Sequence, residues 1–342
     1  MHHSKKLEGS SSLLARHLTP EKEMLLVSVK TNRGFSLEDV IRSGIENLDS
    51  GVGVYVPDEE SYDAFEALLH PIVEEYHDFS SELEHRRDFE ITSRRVGNPD
   101  PKNEYVLSTR IRVGRNLAGV PFAPGISKEE RDAVEQRIVT ALNDLDGDLA
   151  GSYYTLSDME EEVRQQLVND HFLFKQGDRF LESAGANRDW PSGRGIFHSE
   201  DKRFLVWINE EDQLRIISME QGGNVASVFN RLARALEILE ERLHFAYSDK
   251  YGFLSSCPTN LGTAMRASVH IKVPNLEKIG KLKEICDDLG LSVRGIHGEH
   301  SESEGGVYDI SNKRRLGISE AEIAELLTIG VERLIEEEKN LS

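Results

Sequence analysis

The chain changes texture once, near Glu104, and that change limits what it can fold into. Up to about residue 80 the apolar spacing is helical; beyond Glu104, strand-like runs alternate with helices. Thr19-Pro20-Glu21 sets a capping hydroxyl before a proline suited to the first helical position. Ser36-Leu37-Glu38-Asp39 opens a second helix, with Val40, Ile41, Ile45 and Leu48 spaced for one face. Residues 58–77 predict a third, carrying Tyr62, Phe65, Leu68, Leu69, Ile72 and Val73, with a kink or division at Pro71. Between these two lies a glycine- and serine-bearing loop, residues 47–55. Its backbone N–H groups either hold a carboxylate or phosphate, or the loop is a plain interhelical turn.

Residues 81–103 are charged and then rich in glycine and proline, which reads as a linker. The expected division is therefore a helical domain over 1–80, a linker over 81–103 and an α/β domain over 104–342. Within the last, residues 105–113, 203–209, 213–220 and 267–273 predict strands. Ser127-Lys128-Glu129-Glu130 is a capping box opening a helix with Val134, Ile138, Ala141, Leu142 and Leu145 on one side. Residues 225–243 predict another amphipathic helix, and Ser319-Glu320-Ala321-Glu322 caps the last, which presents Ile323, Leu326, Leu327, Val331 and Leu334 to a core.

Charge and cysteine usage narrow the function. The 342 residues carry a net charge of −20, which argues against nucleic acid or an anionic membrane as the main partner. An anionic ligand must then find a local basic island. Two cysteines, Cys257 and Cys286, are too few for a disulfide framework, so a cytoplasmic setting is expected. No apolar run approaches the ~20 residues that span a bilayer. Met1-His2-His3-Ser4-Lys5-Lys6 lacks the apolar stretch of a secretory leader, and its paired histidines read as a tag remnant.

On a strand, Ser108, Arg110 and Arg112 point to one face with Val106, while Leu107, Thr109, Ile111 and Val113 point to the other. Guanidinium forks match phosphate oxygens. These arginines either meet an anion or pair with some of the chain's many carboxylates. Arg215, Arg266 and Arg294 repeat the theme in apolar or small-residue settings, and together the five point to a phosphate cradle. The chain lacks a G-x-x-x-x-G-K-[ST] loop and the H-R-D and D-F-G elements of protein kinases.

Glu210, Glu211 and Asp212 cluster between two strands, as a solvated hairpin turn or as the wall of a site. Residues 295–306, with His297 and Glu299, form a glycine-rich loop, either a lid or a surface loop. A lid carboxylate opposite the first cluster would suit a planar guanidinium cation. Finally, residues 251–256 run into Cys257-Pro258-Thr259-Asn260-Leu261-Gly262-Thr263, a strand ending in a tight polar turn with a reactive atom at its tip. The second cysteine, Cys286, sits in a helix-like stretch and is expected to be structural.

The Cys257 turn, the run from Ser108 to Arg115, the stretches 209–215 and 265–268, and the run from Arg294 through Asp309-Ile310-Ser311-Asn312-Lys313-Arg314-Arg315 resemble the guanidino (phosphagen) kinases. The likeness extends from about residue 10 to the C-terminus, and the arginine kinases are the closest branch. The resemblance implies an α+β fold: a small all-helical N-terminal domain and a larger domain with an antiparallel sheet flanked by helices. It implies that Ser108, Arg110, Arg112, His171, Arg215, Arg266, His270 and Arg294 bind nucleotide. Glu211, Cys257 and Glu299 would hold the guanidinium. Ser50, Gly51, Val52 and Tyr55 would receive the substrate's amino-acid end, and Asp49 with Arg179 would link the two lobes. His297 stands where arginine kinases often carry arginine, which predicts a lid sensitive to pH.

The activity so implied is reversible in-line transfer of the ATP γ-phosphoryl to L-arginine. Mg²⁺ would accompany the nucleotide, its waters held by Glu210 or Asp212. Cys257 would act as a thiolate whose pKa is lowered by nearby hydroxyls and cations. Tyr55 and Glu299 suit L-arginine. Taurocyamine, lombricine or protein arginine are the alternative acceptors, and a non-catalytic nucleotide-binding homologue is the alternative class. The resemblance implies a monomer, with a dimer as the alternative.

Overall fold

The structure is a computed structural model that describes residues 3–80, 84–176, 178–295 and 305–341. Its first portion is helical: Leu13–His17, Pro20–Leu26, Leu37–Glu46, Ser61–Ala64 and Glu66–His77. The expected helix starts are in place. The Thr19 hydroxyl accepts from the Lys22 N–H at 3.3 Å, and the Ser36 N–H donates to Asp39 at 2.8 Å. Two details differ from expectation. Leu48 lies beyond its helix and is 40% exposed, so it takes no part in the buried face. The third helix divides at Phe65, not at Pro71. Phe65 leaves helical geometry (φ −109°, ψ 26°) where its ring enters the core, whereas Pro71 sits inside Glu66–His77.

In the larger portion, the strands among the described residues are β1 (Val106–Arg115), β2 (Gly151–Thr155), β3 (Gly195–Ser199), β4 (Phe204–Ile208), β5 (Leu214–Gln221), β6 (Tyr247–Ser248), β7 (Gly252–Phe253), β8 (Met265–Lys272), β9 (Leu291–Gly295) and β10 (Val307–Asn312). Eight of them form one sheet in the order β2-β3-β4-β5-β1-β8-β10-β9, with antiparallel pairing throughout. Helices Lys128–Leu142, Val225–Glu240 and Glu320–Asn340 bury Val134, Ile138, Val228, Leu232, Leu327 and Val331 against Ile111, Val113, Ile216, Ala267 and Val269 of the sheet. The architecture is thus the α+β one that the sequence predicts. Among the described residues no helix is long and apolar enough to cross a membrane.

Strand β1 corrects one reading. Its alternation buries Thr109, Ile111 and Val113 on one side and leaves Ser108, Arg110 and Arg112 half-buried on the other. Val106, however, lies in the core and Leu107 is exposed, because the β1–β8 register shifts between Val106 and Ser108. A bulge reverses the facing of every residue before it.

Residues 84–103 contain no helix or strand, yet they are pinned to the larger portion. Phe89, Ile91 and Val96 pack against its core. The Ala321 N–H donates to the Asp88 carbonyl at 2.9 Å, and Arg94 pairs with Asp88 and Glu325. Asp100 is buried and accepts from the N–H groups of Tyr105 and Val106, both at 2.7 Å. The helical core is in turn closed by Tyr251, Leu254, Leu261 and Leu316. Asp100→Ala strands both amides where β1 begins, so the folded state should lose about 2–4 kcal/mol in urea denaturation. Asp100→Asn, which keeps an acceptor, should lose less.

Candidate active site

The register of the sheet gathers the arginines. Arg112 on β1 lies directly opposite Arg266 on β8. Ser108, His270, Asp309 and Arg294 follow one another across β1, β8, β10 and β9. Arg215 on β5 pairs with Trp207 on β4. The ring of Trp207 stands 5.6 Å from the guanidinium carbons of both Arg110 and Arg215, a cation–π contact with each. All these groups occupy the face opposite the helices.

Positive charge on that face exceeds the negative charge beside it. Arg215 meets Glu211 at 2.7 Å and Glu210 at 3.1 Å, and Arg266 meets Asp309 at 2.8 Å. Arg110 keeps Nε and Nη2 buried with no hydrogen-bond acceptor among the described residues. Burial, then the neighbouring Arg215 and Arg266, pushes Arg110 down to about 10. Arg112 is pushed well below its ordinary value by burial and by Arg215, Arg110, Arg266 and Arg315. Burial also acts to raise the Asp309 carboxyl, but His270 and Arg266 outweigh it and hold it low. Half-buried guanidinium groups this crowded favour an anion among them.

The acidic turn splits its residues. Asn209 takes a left-handed conformation (φ 56°) and donates to the Gly193 carbonyl at 2.7 Å, which fixes the turn after β4. Glu210 and Glu211 then face Arg215. Asp212 turns the other way and is buried, with both oxygens taken by Asn116 Nδ2 at 2.7 Å and Ser255 Oγ at 2.8 and 2.9 Å. Glycine is required at 114 for this approach: a Cβ there would stand 2.7 Å from Asp212 Oδ2. The reading of Asp212 as a holder of metal-bound water is therefore corrected, because protein donors occupy it. Glu210 remains, its buried Oε2 facing Arg215 Nη2 as an ion pair at 3.1 Å. Among the described residues no group of three or more His, Cys, Asp or Glu is placed to hold a metal ion.

Cys257 follows the short strand β7 and leads into the turn Pro258–Asn260. The helical portion grips this segment: the Val56 N–H donates to the Ser256 carbonyl at 2.6 Å, the Tyr62 hydroxyl to the Ser255 carbonyl at 2.7 Å, and His77 Nε2 meets the Pro258 carbonyl at 2.8 Å. The Cys257 sulfur lies 3.1 Å from the Thr259 hydroxyl. The expected lowering of its pKa is corrected. Burial first, and the Glu211 carboxylate second, push the thiol up to about 12, against the smaller pull of Thr259. The sequence foresaw the hydroxyl but not the depth of burial or the adjacent acid. Cys286 is buried in Leu282–Asp288, as a structural residue would be.

Two adjoining cavities share Glu211 and Arg215. One, of about 200 Å³, is lined also by Tyr55, Phe174, Lys175, Asp178, Trp190 and Glu210. The other, of about 90 Å³, is lined by Arg112, Gly114, Asp212, Asn260, Arg266 and Arg315. A chamber bearing Asp178, Glu210 and Glu211 thus opens beside one lined by Arg112, Arg266 and Arg315. A larger hollow of about 580 Å³, between Tyr154, Val163 and Leu167, contains none of these residues.

Not every anticipated residue joins them. Tyr55 does, but Ser50, Gly51 and Val52 do not line either cavity. Their loop is fastened instead through the Gly51 and Val52 carbonyls, which accept from Leu13 and Leu14 at 2.9 Å. The N–H groups of Gly51, Val52 and Gly53 meet no acceptor among the described residues. Asp49 and Arg179 form a two-pronged ion pair between the loop and the helix Arg179–Ala184, which spans the two portions as expected. His171 is exposed; its neighbour Phe172 receives the Trp207 indole N–H at 2.7 Å. Glu299 and His297 lie outside the described residues. Sequence reasoning missed Trp207, Asp309 and Arg315. Trp207 was legible by alternation toward Arg215, while the other two acquire meaning only from the register and the folded turn.

The sequence profile described as ATP:guanido phosphotransferase, N-terminal domain, matches residues 8–74, and that described as its C-terminal catalytic domain matches residues 133–341. An arginine kinase of Anthopleura japonica is 53% identical over 96% of this chain and 47% of its own length. A probable arginine kinase of Caenorhabditis elegans is 50% identical over 98% of this chain and 95% of its own. Among solved structures, the duplicated taurocyamine kinase of Schistosoma mansoni is similar with a TM-score of 0.92 and 45% identity, over 99% of this chain and 48% of that one. The chain spans about half the length of the Anthopleura and Schistosoma relatives. With its helical and catalytic portions both matched in order, the chain belongs to the ATP:guanido phosphotransferase family.

Proposed function

We propose that this protein is an arginine kinase, which moves the γ-phosphoryl group of ATP reversibly onto a guanidinium nitrogen of L-arginine. The observation that carries this reading is the pair of cavities joined at Glu211 and Arg215. Arg110, Arg112, Arg215 and Arg266 would neutralise the phosphates, with Ser108, His171, His270 and Arg294 as further nucleotide contacts. Glu211, with Glu299, would hold the guanidinium so that one nitrogen faces phosphorus. The nitrogen attacks, the bond to the ADP oxygen breaks, and the nitrogen's proton passes to one of the two carboxylates. Mg²⁺ arriving with the nucleotide would supply charge neutralisation to the transferring phosphates, and Glu210 is the side chain that would hold its waters. A guanidinium seated beside Glu211 and Cys257 would bring the cation that lowers the thiol.

In this reading the helical portion, residues 1–80, brings Tyr55 and the loop of Ser50, Gly51 and Val52 to the substrate's amino-acid end. The portion from 104 to 342, joined through 81–103, carries the chemistry. We also read the protein as cytoplasmic and monomeric.

Taurocyamine is the second reading, favoured by the similar Schistosoma structure. The chamber lining favours L-arginine. It bears both Lys175 and Asp178, one charge of each sign, and a free amino acid carries the same two charges. Taurocyamine carries an anion but no ammonium. Asp178 caps its helix through Oδ1 alone, accepting from Phe180 and Leu181 at 2.9 and 3.0 Å, which leaves Oδ2 for an ammonium.

The test is ADP formation from Mg·ATP with L-arginine, creatine, taurocyamine, lombricine and an arginine-rich protein in parallel. Turnover with L-arginine, reversed by phosphoarginine and ADP, is expected. Turnover only with another acceptor moves the specificity, and ATP binding without any turnover sinks the enzymatic reading. Asp178→Asn keeps the helix cap and should raise KM for L-arginine about tenfold, with little change for any taurocyamine turnover. An equal effect on both would remove Asp178 from substrate choice. Burial pushes the Glu211 carboxyl up to about 7 against the pull of Arg215, so it is neutral below that pH and cannot clamp a cation. Hence kcat/KM for L-arginine should rise about tenfold from pH 6 to pH 8 and then level off. A flat profile would deny Glu211 that role.

A further inference from the structure

Arg315 stands at the join between the Cys257 turn and the arginine-lined cavity, and neither the resemblance nor the family match gives it a task. It follows β10 and is half-buried. Its Nη1 donates to the Thr259 carbonyl at 2.8 Å and to Asn260 Oδ1 at 2.7 Å, immediately beyond Cys257. Its carbonyl accepts from the Thr263 N–H at 2.8 Å and from the Thr263 hydroxyl at 3.2 Å. One residue therefore grips both ends of the 259–263 turn. Glycine at 262 allows this, since a Cβ there would stand 2.1 Å from the Arg315 carbonyl oxygen. The side chain also lines the smaller cavity beside Arg112, Arg215 and Arg266. Among the described residues no acceptor meets its Nε or Nη2.

A guanidinium fork can hold two partners in fixed geometry at once. We propose that Arg315 is a positioning residue, with one nitrogen on the Cys257 turn and the others toward the phosphate-bearing cavity, so that phosphate binding and placement of the Cys257 thiol are coupled. This rests on reading the arginine face as the phosphate site and Cys257 as a guanidinium neighbour. A bound phosphate draws Nε and Nη2, the rigid fork transmits that constraint to the Thr259 and Asn260 oxygens, and the thiol is set against the substrate chamber. A lysine at this position carries the charge but cannot bridge both sides.

The experiment compares the intact protein with Arg315→Lys and Arg315→Gln, following iodoacetamide modification of Cys257 by mass spectrometry, with and without Mg·ADP. Mg·ADP should change the wild-type rate at least fivefold. In Arg315→Lys the change should fall below twofold even at saturating ADP. In turnover, kcat should fall about 100-fold with KM for ATP altered less than threefold, the signature of misplaced groups rather than lost binding. A wild-type-like ADP response in Arg315→Lys overturns the proposal. So does a response that returns in full once ADP saturates, or a loss lying entirely in KM. Should Arg315→Gln fail to fold by circular dichroism, the lysine variant alone decides. The labelling assay needs no acceptor substrate. A wild-type protein that shows the ADP response but fails to phosphorylate L-arginine would sink the proposed function while leaving this coupling intact.

Discussion

Guanidinium groups repel one another, and this fold places several of them on one face of a sheet. What holds them there is the opposite face. Ile111 and Val113 of β1, Ile216 of β5 and Ala267 and Val269 of β8 are locked into the helix-covered core, so the arginines between them cannot withdraw. Core packing of this kind opposes the repulsion, since each buried Val or Ile side chain contributes about 1.5–3 kcal/mol. Trp207 adds a surface on which Arg110 and Arg215 rest without an acid partner on every nitrogen. The remaining features of the site follow from where this charge is fixed: Glu210 and Glu211 are drawn to Arg215, and Asp309 to Arg266.

The helical portion is a working wall of the same site. Val56, Tyr62 and His77 bond to the carbonyls of Ser256, Ser255 and Pro258, so the Cys257 segment is clasped from outside the sheet. His77 is suited to this because burial pushes it down to about 4, keeping the ring neutral. The Asp49–Arg179 pair joins the same two portions at the surface, where both side chains are more than half exposed. Such a pair contributes little to stability. Its geometry fixes where the loop 47–55 stands relative to the chamber wall that Asp178 and Leu181 form.

Much of this was legible in the chain. Capping residues at Thr19, Ser127 and Ser319 mark helix starts because their chemistry is local. The alternation of β1 reveals its two faces because strand periodicity is local too. In the eight-stranded sheet, strands β2, β3, β9 and β10 were not read. Tyr153 and Tyr154 on β2, or Asp309 and Ser311 on β10, show no clean alternation, and pairing with distant partners alone makes them strands. The bulge at Val106 is likewise a product of β8. The roles of Glu210 and Asp212 could not be separated in sequence, since the carboxylates are two residues apart and differ only in the direction Asn209 turns the chain. The ionisation of Cys257 depends first on its burial and then on Glu211, a neighbour 46 positions away in sequence.

The crowded arginine face also shapes how long the molecule lasts. A state that stores repulsion among like charges is relieved by any anion that enters it, and a ligand that prefers the native form lowers the population of the unfolded one. In the proposed function that anion is nucleotide phosphate, so the cluster would tie the protein's stability to nucleotide binding. The loaded form would then unfold and be cut less readily than the empty one.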